Sequence, residues 1–250
     1  MYIFSFIKHT GRSIIYFPKR VALFFSFLGQ WFRFKSKDDK RFSLRYRDLY
    51  PCLKDRLTTT PFDQHYTYHP AWAARVLSKT QPTLHIDISS ILHFSAVTSA
   101  FIPMKFYDYR PAHLQLDNYE SGFADLKKLP FETNSVESIS CMHTIEHIGL
   151  GRYGDELDVK GDLKAIEELK RVTRPNGTIL FVTPIGQPMI AFNAHRIYSF
   201  EQIIEYFAGC ELIEFALIPD EGGLVINPDP ALVKIQQYGC GCFWFKKKSS

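Results

Sequence analysis

From residue 80 onward the chain alternates short apolar runs with amphipathic stretches. LHIDIS (84–89), which follows Pro82, is rich in β-branched residues and reads as a buried strand. MKFYDYR (104–110) reads as a second strand with an acid near its end. LQLDNY (114–119) reads as a weaker third, and SVESISCM (135–142), after the turn-like ETN, as a fourth. GDLKAIEELKRVTRP (161–175) sets Leu163, Ile166, Leu169 and Val172 at helical spacing and is stopped by Pro175-Asn176-Gly177. TILFVTP (178–184) is the next buried strand. SFEQIIEYFAG (199–209) opens as a helix on a capping box of Ser199 and Gln202. ELIEFALI (211–218) and GCGCFWFKKK (239–248) supply two more strands. Strands separated by crossover helices predict a mostly parallel α/β sheet covered on both faces. The last two strands, with no helix between them, predict an antiparallel hairpin at one edge.

Before residue 38 the pattern is different. Residues 1–37 hold eleven aromatic side chains interleaved with seven Lys or Arg and no acid. The longest uncharged run, Val21 to Phe32, is twelve residues, short of the roughly 20 that a membrane-crossing helix needs. No small-residue cleavage site follows it, so a secretory signal is not expected. Such a segment can lie in a membrane interface, with aromatics at headgroup depth and cations over anionic lipid; the alternative is an N-terminal helix pair packed on the domain. The division expected is 1–37 as a basic aromatic segment, 38–80 as a helical lead-in and 81–250 as the main domain. Without the first segment the net charge changes sign, from +4 to 23 basic against 26 acidic residues, so no nucleic-acid partner is expected. Five cysteines without C-x-x-C spacing suit a reduced, cytoplasmic protein. Cys240 and Cys242 share one strand face and read as small apolar groups.

Residues 143–147 read HTIEH, the letters of an inverted zinc-protease motif. That chemistry requires both histidines on one face of a sustained helix. Here a strand leads directly in, and Gly149, Gly151 and Gly154 interrupt any helix within a turn. A chemically active turn at the carboxyl end of a parallel strand is the reading that fits, because ligands of such sheets bind there.

The segments ADLKKLPFETNSVESISCMHTIEHIG and EELKRVTRPNGTILFVTP resemble the class I S-adenosylmethionine-dependent methyltransferases. More closely, HIGLGRYGDELDVKGDLKAIEELKRV, FNAHRIYS and HYTYHPAWAARVL resemble a methyltransferase-like family of nematodes and of bacterial surface-polysaccharide gene clusters. The resemblance covers roughly residues 60–245 and implies a Rossmann-like sheet of seven strands. It implies S-adenosylmethionine as cofactor, with Asp87 near the methionine amine, Asp108 on the ribose hydroxyls, and Asp125 and Leu126 in the adenine loop. The family has a glycine-rich turn after the first strand. This chain has Ser89-Ser90-Ile91-Leu92 there, with Ser89 where a glycine would meet the cofactor.

His143, Glu146, His147 and His195 are candidates for acceptor activation, histidine being suited to proton transfer near neutral pH. Arg152, Tyr153 and Asp155 of GRYGD, with Asn193 and Arg196 of NAHR, are candidates for acceptor binding, an arginine fork fitting phosphate or carboxylate. Arg152 and Asp155 have a structural alternative, that of holding the glycine-rich loop together. The expected activity is O-methylation of a sugar or lipid-linked glycan, on the cytoplasmic face of a membrane whose anionic surface residues 1–37 would meet. A catalytically inactive scaffold in polysaccharide assembly is the alternative that the glycine-free turn favours. A divalent metal on His143, Glu146, His147 and His195 is open but not part of the assignment.

Overall fold

The computed structural model describes residues 2–249, with side chains from residue 18 onward. The chain divides into two compact units, Met1–Pro61 and Phe62–Ser250. The first unit is built on one helix, α1 (Tyr2–Lys35), not on the helix pair of the alternative reading, and a short 3-10 turn follows at Tyr46–Asp48. No helix is long and apolar enough to cross a membrane among the described residues. The side chains before Pro18, which carry half of the expected membrane-interface segment, lie outside the described residues.

The second unit begins with α2 (Gln64–Thr80), whose N-terminus is capped by Asp63 accepting from the Tyr66 N–H. Then come β1 (His85–Ile88), α3 (Leu92–Thr98), β2 (Met104–Asp108), β3 (Tyr119–Phe123), β4 (Val136–Met142), α4 (Gly161–Val172) and β5 (Thr173–Ile185). A small ribbon of β6 (Met189–Ala191) and β7 (His195–Ile197) leads into α5 (Phe200–Tyr206), and β8 (Cys210–Ile218), β9 (Val225–Ile226) and β10 (Gly239–Lys247) close the chain. The main sheet runs β3-β2-β1-β4-β5-β10-β8-β9. Its first five strands are parallel; β10 is antiparallel to both β5 and β8.

Two expectations are corrected. LQLDNY is not a strand: the third strand is YESGF, shifted to residues 119–123. Its mostly polar letters hid it, but Gly122 fits beneath the Tyr107 ring of β2, where a Cβ would come within 2.8 Å. The C-terminal strands do pair antiparallel, yet not as an edge hairpin. Residues 219–238 let β10 pass inside β8, and the two-residue β9 takes the edge as an eighth strand. The Ser199–Gln202 capping box is formed in both directions.

Each sheet face buries its own core. On one face Ile86, Ile139, Phe181, Phe243 and Phe245 meet Ile166 and Leu169 of α4 and Ile203 of α5. On the other, Met104, Phe106, Leu180, Val182, Cys240 and Cys242 meet Trp72, Val76 and Leu77 of α2 and Phe94 of α3. Cys240 and Cys242 are fully buried on that second face, as their alternation predicts. This three-layer arrangement leaves the carboxyl ends of β1, β2 and β4 as the open end of the sheet.

Candidate functional site

A cavity of about 360 Å³ opens at that end, within the usual range of small-molecule sites of ~300–1,000 Å³. Its walls include Ser89 after β1, Asp108 at the end of β2, Asp125 and Leu126 after β3, and His143 and His147 after β4. Tyr153 and Asp155 of the glycine-rich loop complete the far side.

The turns beneath it carry two non-glycine residues in the left-handed region, Ser89 (φ 55°) and His143 (φ 55°). Such torsions cost on the order of 1–3 kcal/mol and collect at functional sites. The two turns are tied together, since the Thr144 hydroxyl donates to the Ser89 carbonyl at 2.9 Å. The Ser89 N–H donates to the Tyr107 carbonyl at 2.8 Å, so the turn closes tightly although its letters contain no glycine. Ser90 points inward, its hydroxyl accepting from the Met142 N–H at 3.1 Å.

The carboxylates divide by environment. One oxygen of Asp108 accepts from the Arg110 N–H at 2.7 Å, and one of Asp125 from the Lys127 N–H at 2.8 Å. Each has a second oxygen outside that bond. Asp87 is different. It is completely buried, lies outside the cavity wall, and accepts from the Ser140 hydroxyl at 2.5 Å. Burial pushes its carboxyl up to about 7. The structure places it in the sheet, where it does not reach the cavity.

After β4, residues Ile145–His147 form one 3-10 turn instead of a sustained helix, as the glycines predict. Glu146 is buried beneath it and accepts from His143 Nδ1 at 2.9 Å. His147 Nδ1 lies 2.6 Å from the Ala194 carbonyl. A carbonyl can only accept, so Nδ1 carries the proton and Nε2 is left with its lone pair. His195 is half-buried beside Tyr238, ring centres 4.8 Å apart, and does not line the cavity. Burial lowers its pKa, helped by His147, Arg152 and His143 and opposed by Glu146.

The remaining candidates turn out to be partly structural. Asp155 accepts from the Gly149 and Tyr153 N–H groups at 2.7 and 3.2 Å, holding the loop together while also lining the cavity. Partial burial pushes its pKa up, but these backbone bonds outweigh that and leave it lowered. Arg152 donates to the Ala194 carbonyl at 3.0 Å, and its guanidinium lies over the Tyr153 ring, as does that of Arg110. Arg196 is buried, donates to the Ile148 carbonyl at 2.7 Å and pairs with Asp162 at 3.5 Å. It fastens this loop from below and is not exposed to an acceptor. Asn193 is exposed and off the cavity wall.

Sequence reasoning missed a second group of side chains. His65, Tyr66 and His69 of α2 pack around His143 with ring centres 5.1–5.3 Å away, and Tyr238 stacks on His65 at 5.3 Å. The signal was present in HYTYH, which sets His65 and His69 four apart on one helix face. The four candidate metal ligands do not converge. Among the described residues the one converging set of three such donors is His65, His143 and Cys240.

A family model described as a Caenorhabditis protein of unknown function, DUF268, matches residues 123–218, from the end of β3 through β8. The chain is similar to solved structures from several organisms. A chain of the Haloferax volcanii complex formed by the Trm112 methyltransferase activator aligns at 16% identity and TM-score 0.52, over 75% of this chain and 91% of that one. The 1,6-didemethyltoxoflavin-N1-methyltransferase of Burkholderia thailandensis, with bound S-adenosylhomocysteine, aligns at 9% identity and TM-score 0.52, over 74% and 81%. The N-methyltransferase NodS of Bradyrhizobium japonicum, in complex with S-adenosylhomocysteine, aligns at 11% and 0.50, over 75% and 90%. No curated protein sequence matches the chain. The chain has the class I methyltransferase fold. At these identities the likeness speaks for the fold, and the chemistry has to be argued from the residues.

Proposed function

We propose that the chain is an S-adenosylmethionine-dependent methyltransferase. The observation that carries this reading is the cavity at the carboxyl ends of β1, β2 and β4 with Asp108 and Asp125 in its wall. The residues suit that cofactor. Asp108 has a carboxylate oxygen outside its bond to Arg110, and a carboxylate can accept from both hydroxyls of a ribose diol. Leu126 and Ala124 offer apolar surface to an adenine beside Asp125. Ser89 gives the left-handed turn that lets backbone approach a ligand closely.

The cofactor supplies an electrophilic methyl group on a sulfonium. The chain positions an acceptor in line with it and takes away the acceptor's proton. His147 suits the second task, because its Nδ1 proton is fixed on the Ala194 carbonyl and its Nε2 is free to accept. With the cofactor bound, an acceptor hydroxyl receiving that methyl group would have to shed its proton, and His147 Nε2 would be the group that takes it. Arg110 and Arg152, over the Tyr153 ring at the cavity rim, suit an anionic acceptor such as a phosphate-linked sugar. The finer reading is therefore O-methylation of a sugar or lipid-linked glycan in surface-polysaccharide synthesis, on the inner face of a membrane met by the basic aromatic helix.

Calorimetry with S-adenosylhomocysteine tests the reading. Micromolar binding is expected, weakened roughly 10- to 100-fold by Asp108→Ala, the loss of hydrogen bonds to a charged group worth about 1.5–3 kcal/mol. Absence of binding at millimolar ligand would overturn the enzyme and leave a scaffold.

A further inference from the structure

Two buried histidines beside the cavity hold lone pairs that nothing among the described residues satisfies. His143 Nδ1 faces the Glu146 carboxylate at 2.9 Å, and His69 Nδ1 faces the His65 carbonyl at 2.7 Å. Both partners only accept, so both Nδ1 atoms carry the proton. Both Nε2 atoms are buried without a hydrogen-bond partner. A buried acceptor left unpaired costs about 1–3 kcal/mol, and here two such atoms lie on rings 5.1 Å apart. A ring nitrogen whose opposite N–H is held by a carboxylate or carbonyl is the arrangement by which proteins orient histidine toward a metal.

The donors around them fit one. Ligand atoms of His65, His143 and Cys240 lie within 4.8 Å of one another. Bonds of about 2.0–2.1 Å to nitrogen and 2.3 Å to sulfur put two nitrogens and a sulfur roughly 3.3–3.6 Å apart in a tetrahedron, so the donors need to draw in by up to about 1.5 Å. Three separate segments supply the set: α2, the turn after β4, and the start of β10.

We propose that His65, His143 and Cys240 form a zinc-class metal site with its fourth position open. Two imidazoles and one thiolate suit zinc over magnesium or calcium, which take oxygen ligands. On binding, the Cys240 thiol gives up its proton to solvent and its sulfur bonds the metal. A water in the fourth position has a proton to offer the stranded His69 Nε2. Because His143 also lines the cavity, a metal here would sit one side chain away from the acceptor end of the site. Presentation of an acceptor oxygen there rests on the methyltransferase reading; the metal site itself does not.

The test uses the full chain, equilibrated with zinc sulfate, desalted and assayed for metal. One zinc per chain is expected, falling at least tenfold in His65→Ala and Cys240→Ser and unchanged in Cys242→Ser, the neighbour on the same strand face. Cobalt chloride gives an independent readout. A thiolate-to-cobalt charge-transfer band is expected in the wild type and in Cys242→Ser, and not in Cys240→Ser. Circular dichroism on each variant separates loss of metal from loss of fold, and His65→Ala, a half-buried position, carries the test if Cys240→Ser does not fold. A wild type that retains less than a tenth of an equivalent, or a charge-transfer band that survives Cys240→Ser, overturns the site. Cofactor calorimetry on metal-free protein fails or succeeds separately, so the two readings can be told apart.

Discussion

At Ser89 the chain turns with φ 55°, a torsion that glycine adopts freely and serine does not. The hydroxyl makes only a long 3.4 Å contact to the Tyr107 carbonyl, so the turn is held by its backbone bonds to Tyr107 and Thr144. Ser89→Gly therefore removes backbone strain while adding unfolded-state entropy, and unfolding free energy should stay within about 1 kcal/mol of wild type. Ser89→Val, β-branched and poorly tolerated at positive φ, should lose about 1–3 kcal/mol. Urea unfolding of the two variants decides the matter. Equal losses would mean that the hydroxyl, not the torsion, is what the turn requires. The absence of glycine in the letters thus says little about the shape of the turn, and the scaffold alternative loses the feature that favoured it.

At the scale of the elements, β1 and β4 are stitched by a buried polar chain. Ser138 donates to His85 Nδ1 at 2.7 Å, His85 Nε2 to Ser140 at 2.9 Å, and Ser140 to Asp87. Burial holds His85 down at about 3, against 6.5 unfolded, and Asp87 up at about 7, against 3.8. Both groups are neutral in the folded sheet near pH 5, whereas the unfolded chain carries one of each charge there. The signs are opposite. Between 3.8 and 7 the folded state holds an extra proton on Asp87, so that contribution falls as pH rises; between 3 and 6.5 the unfolded state holds an extra proton on His85, so that one rises. The two cancel across their shared window. In His85→Gln, stability relative to wild type should fall by about 1.4 kcal/mol per pH unit from roughly pH 4 to 6.5, and in Asp87→Asn it should rise by as much. Denaturant titrations that run parallel in all three proteins would sink the linkage. The sequence showed Asp87 as an acid on a buried strand but not which way it faced, because its alternation partners Ser138 and Ser140 lie on another strand. For the same reason the polar YESGF reads less like a strand than LQLDNY does. Its fitness as a strand comes from Tyr107 and the β2 backbone, which are non-local. The periodic elements, α4, α5, β4 and β5, were legible because each buries a face set by its own spacing.

For the whole molecule, the sequence separates a basic aromatic helix from an acidic α/β body, and the charge asymmetry is a testable property. On α1, Phe25, Phe32 and Phe34 are 66%, 62% and 67% exposed, beside Arg33, Lys35 and Lys37 at its end. Lys35 lies over the Trp31 ring at 4.9 Å, aliphatic stem and aromatic face together. Large exposed aromatics flanked by cations suit the headgroup layer of an anionic bilayer, where each cation contributes about 1 kcal/mol and the attraction decays within roughly 10 Å at moderate salt. The full chain should therefore sediment with vesicles containing phosphatidylserine and much less with purely zwitterionic ones, and rising salt should release it. Changing Arg33, Lys35 and Lys37 together to Gln should lower partitioning by about a hundredfold, three cations at ~1 kcal/mol each. Changing the three exposed phenylalanines to Ala should weaken binding to both kinds of vesicle, since apolar insertion does not depend on lipid charge. Equal partitioning of wild type and the Gln variant on anionic vesicles would remove the electrostatic basis for placing the proposed lipid-linked acceptor within the chain's reach. The cofactor and metal experiments would stand unaffected.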